Sequence, residues 1–479
     1  MNYTMIFSTL GKVLKITGVL FLLPIFVSLL YSEWNIALIM LITAFASFIL
    51  GFISTTLLKP KSQTIFAKEG FIIVAFSWII ISIITATPFY LSKEIPSFID
   101  ALFEAVSGFT TTGASILVDP SKLSYGLLFL RSFTIFIGGM GILVFVIAIM
   151  PKNTDSNIHI LRAEMPGPTV DKILPKAKDT AKILYLIYIG MTVVLMVLLK
   201  LGGMNLFESV TQAFSTAGTG GFGIKADSIA SYNNYIQWVL CIFMILFGVN
   251  FNLYFLIFVG KFKTAIKSKE LLAYLIIIAS ATLLIALNVY PIFNNLSDTF
   301  RHSLFQVASI STTTGYTTTN FDVWSPFAKT ILLFLMFIGG CAGSTAGGFK
   351  IYRLSILFKK MHSSLKKLIY PNRVDVITFD GKQLDEETIS GVTSYFSVYT
   401  VLIFILFLLI SINGLSFETN FSAVVACFNN IGPGFSAVAS NYTCYSGFSK
   451  IVLTIAMLFG RLEIYPILLA FSPLTWTKK

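Results

Sequence analysis

Four short segments set hydroxyls, amides and bare glycine backbone side by side: Thr110-Thr111-Thr112-Gly113, Ser215-Thr216-Ala217-Gly218, Thr312-Thr313-Thr314-Gly315 and Asn429-Asn430-Ile431-Gly432. A phenylalanine stands four residues before the glycine in three of them (Phe109, Phe214, Phe428), and Ser311 takes that place in the other. Each segment follows an apolar stretch too short to cross a bilayer and precedes a long hydrophobic span. Carbonyl oxygens gathered around an axis at that depth can replace the water shell of a small cation. Glycine permits the dihedrals that aim successive carbonyls inward. The expected ion-contacting backbone is therefore Thr111, Thr112 and Gly113, then Thr216, Ala217 and Gly218, then Thr313, Thr314 and Gly315, and lastly Asn430, Ile431 and Gly432. One such cluster alone would read as a helix-packing motif, since small residues allow close approach. Four in register with the same preceding helix favour a pore.

A second constellation lies at 339–348, where Gly339, Gly340, Gly343, Gly347 and Gly348 interrupt a hydrophobic span. Each glycine costs a helix interior about 1 kcal/mol relative to alanine, so the span is expected to unwind into a loop able to act as a gate. The alternative is a kinked span packed tightly on a neighbour. Arg461 falls within the last span, where a charge costs about 2.5–3.5 kcal/mol. Glu463, two residues on, faces another side of a helix. Arg461 is therefore expected to face the pore or a carbonyl cluster, lowering a deep cation well, with an ion pair to another span's acid as the alternative.

Other motifs assign no chemistry. Gly218-Thr219-Gly220-Gly221-Phe222-Gly223 fits GxGxxG literally but lacks the strand and βαβ unit of a dinucleotide site. Asp100 and Glu104, on the first short helix, place negative charge near one mouth, although acids near a helix N-terminus are common for dipole reasons alone. His159, His302 and His362 are dispersed, as are Cys241, Cys341, Cys427 and Cys444, with no CxxC pair.

The elements that must position these groups are membrane spans. Of 479 residues, 56% are hydrophobic and 12% charged, with a mean hydropathy of +0.83; a soluble chain would hold about a quarter charged residues. Runs of about 20 apolar residues suffice to cross a bilayer, and ten are expected, at 14–31, 34–54, 69–92, 126–150, 180–202, 235–260, 271–293, 327–357, 391–414 and 448–472. The first is better read as half of an uncleaved hairpin than as a signal peptide, because Pro24 lies inside it and no cleavage site follows. With both termini cytoplasmic, most of the 34 Lys and Arg fall on one side, which is the positive-inside bias. The formal charge of +12 thus reports topology and contact with anionic lipid, not nucleic acid.

The turn glycines lie about 100 residues apart, the mark of a repeat. The fold class expected is an all-α integral membrane protein with an N-terminal two-helix hairpin. Four units of span, pore helix, filter loop and span follow, arranged pseudo-fourfold around one pore. The divisions are a hairpin at 1–68, a first repeat at 69–150, a cytoplasmic loop at 151–179, repeats at 180–270 and 271–358, a cytoplasmic loop at 359–390 and a fourth repeat at 391–479. The short pore helices are expected at 97–109, 205–214, 299–311 and 417–428. Non-helical backbone at that depth survives only where it lines water or is buried in protein.

This pattern resembles the Trk/Ktr/HKT superfamily of potassium transporters, its TrkH-type branch in particular. The most specific likenesses are Phe421-Ser422-Ala423-Val424 leading to Asn429-Asn430-Ile431-Gly432-Pro433-Gly434, Phe305-Gln306-Val307 leading to Ser311-Thr312-Thr313-Thr314-Gly315, and Gly460-Arg461-Leu462-Glu463-Ile464. The likeness runs from about residue 70 to the C-terminus. It implies that Gly113, Gly218, Gly315 and Gly432 are filter glycines binding the transported potassium ion, with no organic cofactor in this chain. Four glycines are similar to potassium-selective members, whereas a serine in the first turn is typical of sodium-preferring plant relatives. The resemblance also implies that the 339–348 loop and Arg461 form the constriction beneath the filter. It implies a homodimer in a bacterial-type inner membrane, gated by a cytosolic nucleotide-binding regulatory subunit. Tyr316, where phenylalanine is frequent, and a fourth turn without hydroxyls are departures.

Sodium- or proton-coupled potassium symport is the rival within transport. No intramembrane acid cluster of the kind proton relays use is evident. A membrane enzyme would need clustered Asp, Glu or His at the surface, and the sequence offers none.

Overall fold

Apolar backbone in a bilayer must satisfy its own N–H and C=O groups, and within one segment only a helix does so. Helix is accordingly the dominant regular structure here. The computed structural model describes residues 1–58, 66–141, 177–372, 376–380 and 382–476. Its one small sheet among these is a hairpin of Thr378–Phe379 with Lys382–Gln383.

Among the described residues, six helices are long and apolar enough to cross a membrane: Tyr3–Leu30, Trp34–Leu57, Ala67–Leu91, Ala181–Leu201, Lys269–Phe293 and Glu386–Ser411. Two bent helix pairs are apolar enough to cross only when taken together, Asn234–Phe247 with Phe251–Phe258 at 89° and Gly447–Arg461 with Tyr465–Phe471 at 119°. The spans expected at 235–260 and 448–472 fall on these pairs, each broken within its length. The other two expected spans appear as shorter apolar helices, Tyr125–Gly139 and Pro326–Ile338. Residues 142–150 of the first lie outside the described residues, as does most of the expected loop at 151–179. The second stops at Gly339, and a new helix, Ile351–Ile369, begins after the glycine-rich stretch.

In the N-terminal hairpin two helices pack at backbone distance. A Cβ on Gly51 would meet the Gly11 carbonyl oxygen at 2.5 Å, and one on Gly18 the Ala44 carbonyl oxygen at 2.7 Å. Small residues of this kind let helices associate in lipid, where no hydrophobic drive brings them together.

The remaining chain repeats one order four times: long helix, short helix, turn, second helix. The short helices are Phe98–Phe109, Leu206–Ala217, Leu296–Ser311 and Phe417–Phe428. The second runs three residues past its expected end. Their starts are built alike. Ser97, Asn205, Asn295 and Ser416 cap them by accepting a backbone N–H, and Asp100, Glu208, Asp298 and Glu418 stand in the first turns. Caps satisfy orphan N–H groups, and acids there complement the helix dipole. The opposite, partly negative ends of these helices all run into the turns.

Candidate functional site: a ring of four turns

Each short helix hands over to a turn with the same two left-handed residues. Thr111, Thr219, Thr313 and Asn430 have φ of 55°, 55°, 56° and 57°, and Gly113, Gly221, Gly315 and Gly432 have φ of 74°, 62°, 84° and 97°. A β-branched residue at positive φ costs about 1–3 kcal/mol and persists only where its surroundings hold it. Three threonines do so here at one structural position.

This geometry corrects the register of the second turn. Thr216 and Ala217 are the last residues of their helix and Gly218 is its cap, at φ −77°. The counterparts of Thr111 and Gly113 are Thr219 and Gly221, inside the GxGxxG string set aside above. Phe109, Ala217, Ser311 and Phe428 end their helices at matching places, so Phe214 was a false landmark. The spacing from cap to glycine was the signal in the sequence: Ser97 to Gly113, Asn205 to Gly221 and Ser416 to Gly432 are equally far apart, while Gly218 falls three residues short.

The four turns abut in cyclic order. A Cβ on Gly113 would meet the Gly220 carbonyl oxygen at 1.9 Å, one on Gly221 the Thr314 oxygen at 1.9 Å, one on Gly315 the Ile431 oxygen at 2.1 Å, and one on Gly432 the Thr112 oxygen at 2.6 Å. First touches second, second third, third fourth, and fourth first. Backbone packed this closely leaves room for no side chain, which is the steric reason for glycine at these positions. The same four glycines line one cavity, together with Arg131 and Tyr442.

Side chains behind the ring fix it. Thr110 and Thr112 share a hydroxyl hydrogen bond of 2.8 Å, and Thr312 and Thr314 repeat it at 2.7 Å. Tyr442 donates its hydroxyl to the Gly432 carbonyl at 2.6 Å, and the Tyr316 hydroxyl pairs with Gln212 Oε1 at 2.5 Å. Asn429 Oδ1 accepts from the Tyr399 hydroxyl at 2.7 Å. Such pairing holds buried polar groups in place. Glu104 is fully buried and ion-paired with Arg131, and Asp100 pairs with Lys450 at 2.6 Å. Neither acid stands free at the mouth to draw cations.

On the ring's other face lie the glycine-rich loop and Arg461. The Gly347 N–H donates to Thr313 Oγ1 at 2.7 Å. Cys341 N–H donates to the Gly248 carbonyl and Phe251 N–H to the Gly343 carbonyl, at 3.0 and 3.1 Å. The loop thus satisfies backbone groups left open at the break in the Asn234–Phe258 span. Ala342 N–H donates to the buried Glu270 Oε1 at 2.7 Å. Gly339, Gly343 and Gly348 are at positive φ, with Gly340 and Gly347 between them in sequence.

Arg461 reaches a cluster of carbonyls. Its Nη2 donates to Gly138 O and Gly139 O, at 2.5 and 2.6 Å, and its Nη1 to Thr345 O at 2.9 Å and Thr111 Oγ1 at 3.3 Å. The carbonyl cluster, one of the expected settings, is thus found, and Glu463 pairs with Arg353. Arg461, Glu463, Lys350, Gly347, Gly139 and Trp78 line a second cavity. Gly138, Gly139, Thr219, Gly220, Gly221 and Glu270 are residues that the sequence reading did not single out for the site.

The family described as "TrkH: Cation transport protein" matches residues 36–477. The chain is 35% identical over 460 residues to the Trk system potassium uptake protein TrkG of Escherichia coli, covering 95% of this chain and 94% of that protein. It is 34% identical over 487 residues to the Trk system potassium uptake protein TrkH of Vibrio parahaemolyticus, covering 99% and 100%. The crystal structure of the potassium transporter TrkH from Vibrio parahaemolyticus superposes with a TM-score of 0.90 at 32% identity, covering 100% of both chains. The resemblance drawn from the filter and arginine motifs is borne out: the chain belongs to the TrkH family of cation transport proteins.

Proposed function

We propose that this inner-membrane protein takes up potassium by conducting it through the ring of four turns, whose carbonyls serve as a selectivity filter. The single observation that carries this reading is the set of four glycines at positive φ, packed in cyclic order and lining one cavity. The names of its relatives, which are potassium uptake proteins, support the choice of ion. In this reading the filter backbone is that of Thr111, Thr112 and Gly113, Thr219, Gly220 and Gly221, Thr313, Thr314 and Gly315, and Asn430, Ile431 and Gly432. The partly negative ends of four short helices converge there and favour a cation.

The glycine-rich loop and Arg461 act as the gate beneath the filter. Their hydrogen bonds to Thr313 and Thr111 put them against the ring without any intervening helix. Carbonyls of Gly138, Gly139 and Thr345 hold the guanidinium near the ion path, where it opposes cation residence. A cytosolic nucleotide-binding subunit controls that gate by docking on the lysine-rich segments at 151–179 and 359–390, and the pore protein works as a homodimer with both termini cytoplasmic.

The test is ion flux in liposomes holding the purified protein, with potassium or sodium gradients imposed in turn at fixed pH. Potassium flux that follows its own gradient, indifferent to sodium and pH gradients, is expected. Transport only under a second ion's gradient would replace conduction by coupled symport.

A further inference from the structure

We propose that the buried Glu104–Arg131 ion pair is a strut that sets potassium-over-sodium selectivity by holding the first and second turns in register; this rests on reading the ring as the filter. Arg131 Nε lies 2.5 Å from Glu104 Oε1, with the side chains 3% and 0% exposed. The Glu104 carboxylate also accepts the Ser115 hydroxyl, at 3.0 and 3.1 Å to its two oxygens, and the Ile116 N–H at 3.0 Å. Both residues lie just beyond Gly113 on the outgoing chain. Arg131 Nη1 donates to the Gly223 carbonyl at 2.8 Å, and its guanidinium lies 3.5 Å from the centre of the Phe222 ring. Those residues lie just beyond Gly221. One ion pair therefore grips the chain leaving both turns.

The corresponding helix position, nine residues before the glycine, holds Gln212 in the second repeat, Gln306 in the third and Ala423 in the fourth. Gln212 steadies the third turn through the Tyr316 hydroxyl, so a neutral contact serves at that junction. Charges at the first junction are not explained by stability. A well-packed apolar pair is often as stable as a buried ion pair, whereas removing one partner strands a charge. What the fork of an arginine and the two oxygens of a carboxylate supply is fixed geometry toward several acceptors and donors at once. Arg131 also lines the cavity bordered by the four glycines. Glu104 cancels a positive charge there that would repel the entering cation.

Electrostatic and positioning roles separate in a small set of variants, each reconstituted in liposomes and assayed for potassium and sodium flux separately. Glu104→Gln leaves the arginine charge uncompensated, so potassium flux falls and the potassium-to-sodium flux ratio drops about tenfold. The double variant Glu104→Gln with Arg131→Gln removes both charges: potassium flux returns toward the parent, but the ratio stays low. Arg131→Lys keeps the charge while losing the fork that reaches Gly223, so flux is kept and the ratio falls. Should a neutral variant fail to assemble as a monodisperse particle, Arg131→Lys decides the matter. Parental ratios in folded Arg131→Lys, with Gly113→Ser lowering the ratio in the same assay, would overturn the strut and leave the filter reading standing. Parental ratios in Gly113→Ser and Gly221→Ser as well would bring down both.

Discussion

Asn430 donates its side-chain N–H to Thr112 Oγ1 at 3.0 Å, closing the ring between its fourth and first turns across 318 residues of sequence. The same amide nitrogen donates to the Met457 carbonyl at 2.9 Å, so the turn is tied to its own second helix as well. The fourth turn lacks the hydroxyl pair found within the first and third, and this amide supplies the cross-link in its place.

Asn430→Ala removes both bonds, at a cost of about 0.5–1.5 kcal/mol each, while Thr112 keeps its hydroxyl bond to Thr110. It also places alanine at φ 57°, which asparagine tolerates better. The expected outcome is a lower melting temperature in detergent and a reduced potassium-to-sodium flux ratio. A parental ratio in a destabilised but folded variant would restrict Asn430 to a structural role.

The register of the second turn can be tested directly. Gly221→Ser is expected to erode selectivity as Gly113→Ser does, because a Cβ at either position strikes a neighbouring turn's carbonyl at 1.9 Å. Gly218→Ala meets Ile135 on the adjacent helix instead, with its carbonyl oxygen at 2.4 Å. It should lower thermal stability while leaving the flux ratio of the surviving protein unchanged. The reverse pattern would return the filter to Ser215–Gly218.

Arg461→Ala is expected to raise potassium flux several-fold in the absence of a regulator, measured in liposomes. It removes the charge that is proposed to oppose cation residence and frees carbonyls of Gly138, Gly139 and Thr345. A well-folded variant that conducts like the parent would show that the guanidinium is a structural cross-link alone.

Deleting residues 341–346 should leave conduction independent of any regulatory subunit. A milder version is Glu270→Ala, which releases the Ala342 N–H. It should raise unregulated flux, whereas Glu270→Gln, with an acceptor oxygen retained, should stay closer to the parent. Regulator-dependent conduction in the folded deletion would argue against a gate here.

How much of this was legible in the sequence varies with the range of the interactions involved. Hydrophobic runs revealed the long spans because bilayer length and helical hydrogen bonding are local constraints. The Thr/Gly turns were legible as a set, and the first, third and fourth in register. The second misled because Ser215-Thr216-Ala217-Gly218 has the composition of a turn while its backbone continues the helix. Local propensity could not decide between two glycines three residues apart; contact with the Thr314 carbonyl does. The bends at 248–250 and 462–464 were hidden as well. Val249, Leu462 and Ile464 are hydrophobic enough to pass for span interior, and Ile464 adopts φ 66° only because its surroundings hold it. Glu104 looked like a mouth charge until folding brought it to Arg131.

No continuous helical wall extends past the ring on the arginine side in the second, third or fourth repeat, because those helices stop at 247, 338 and 461. A channel closed by crossing helices opens like an iris, with whole rods pivoting through the membrane. In the gate proposed here, the obstruction is a short loop and one side chain held by a handful of hydrogen bonds. On that proposal, local loop opening on the microsecond-to-second scale would clear it, and a regulator would need to pull on little more than the helix beginning at Ile351.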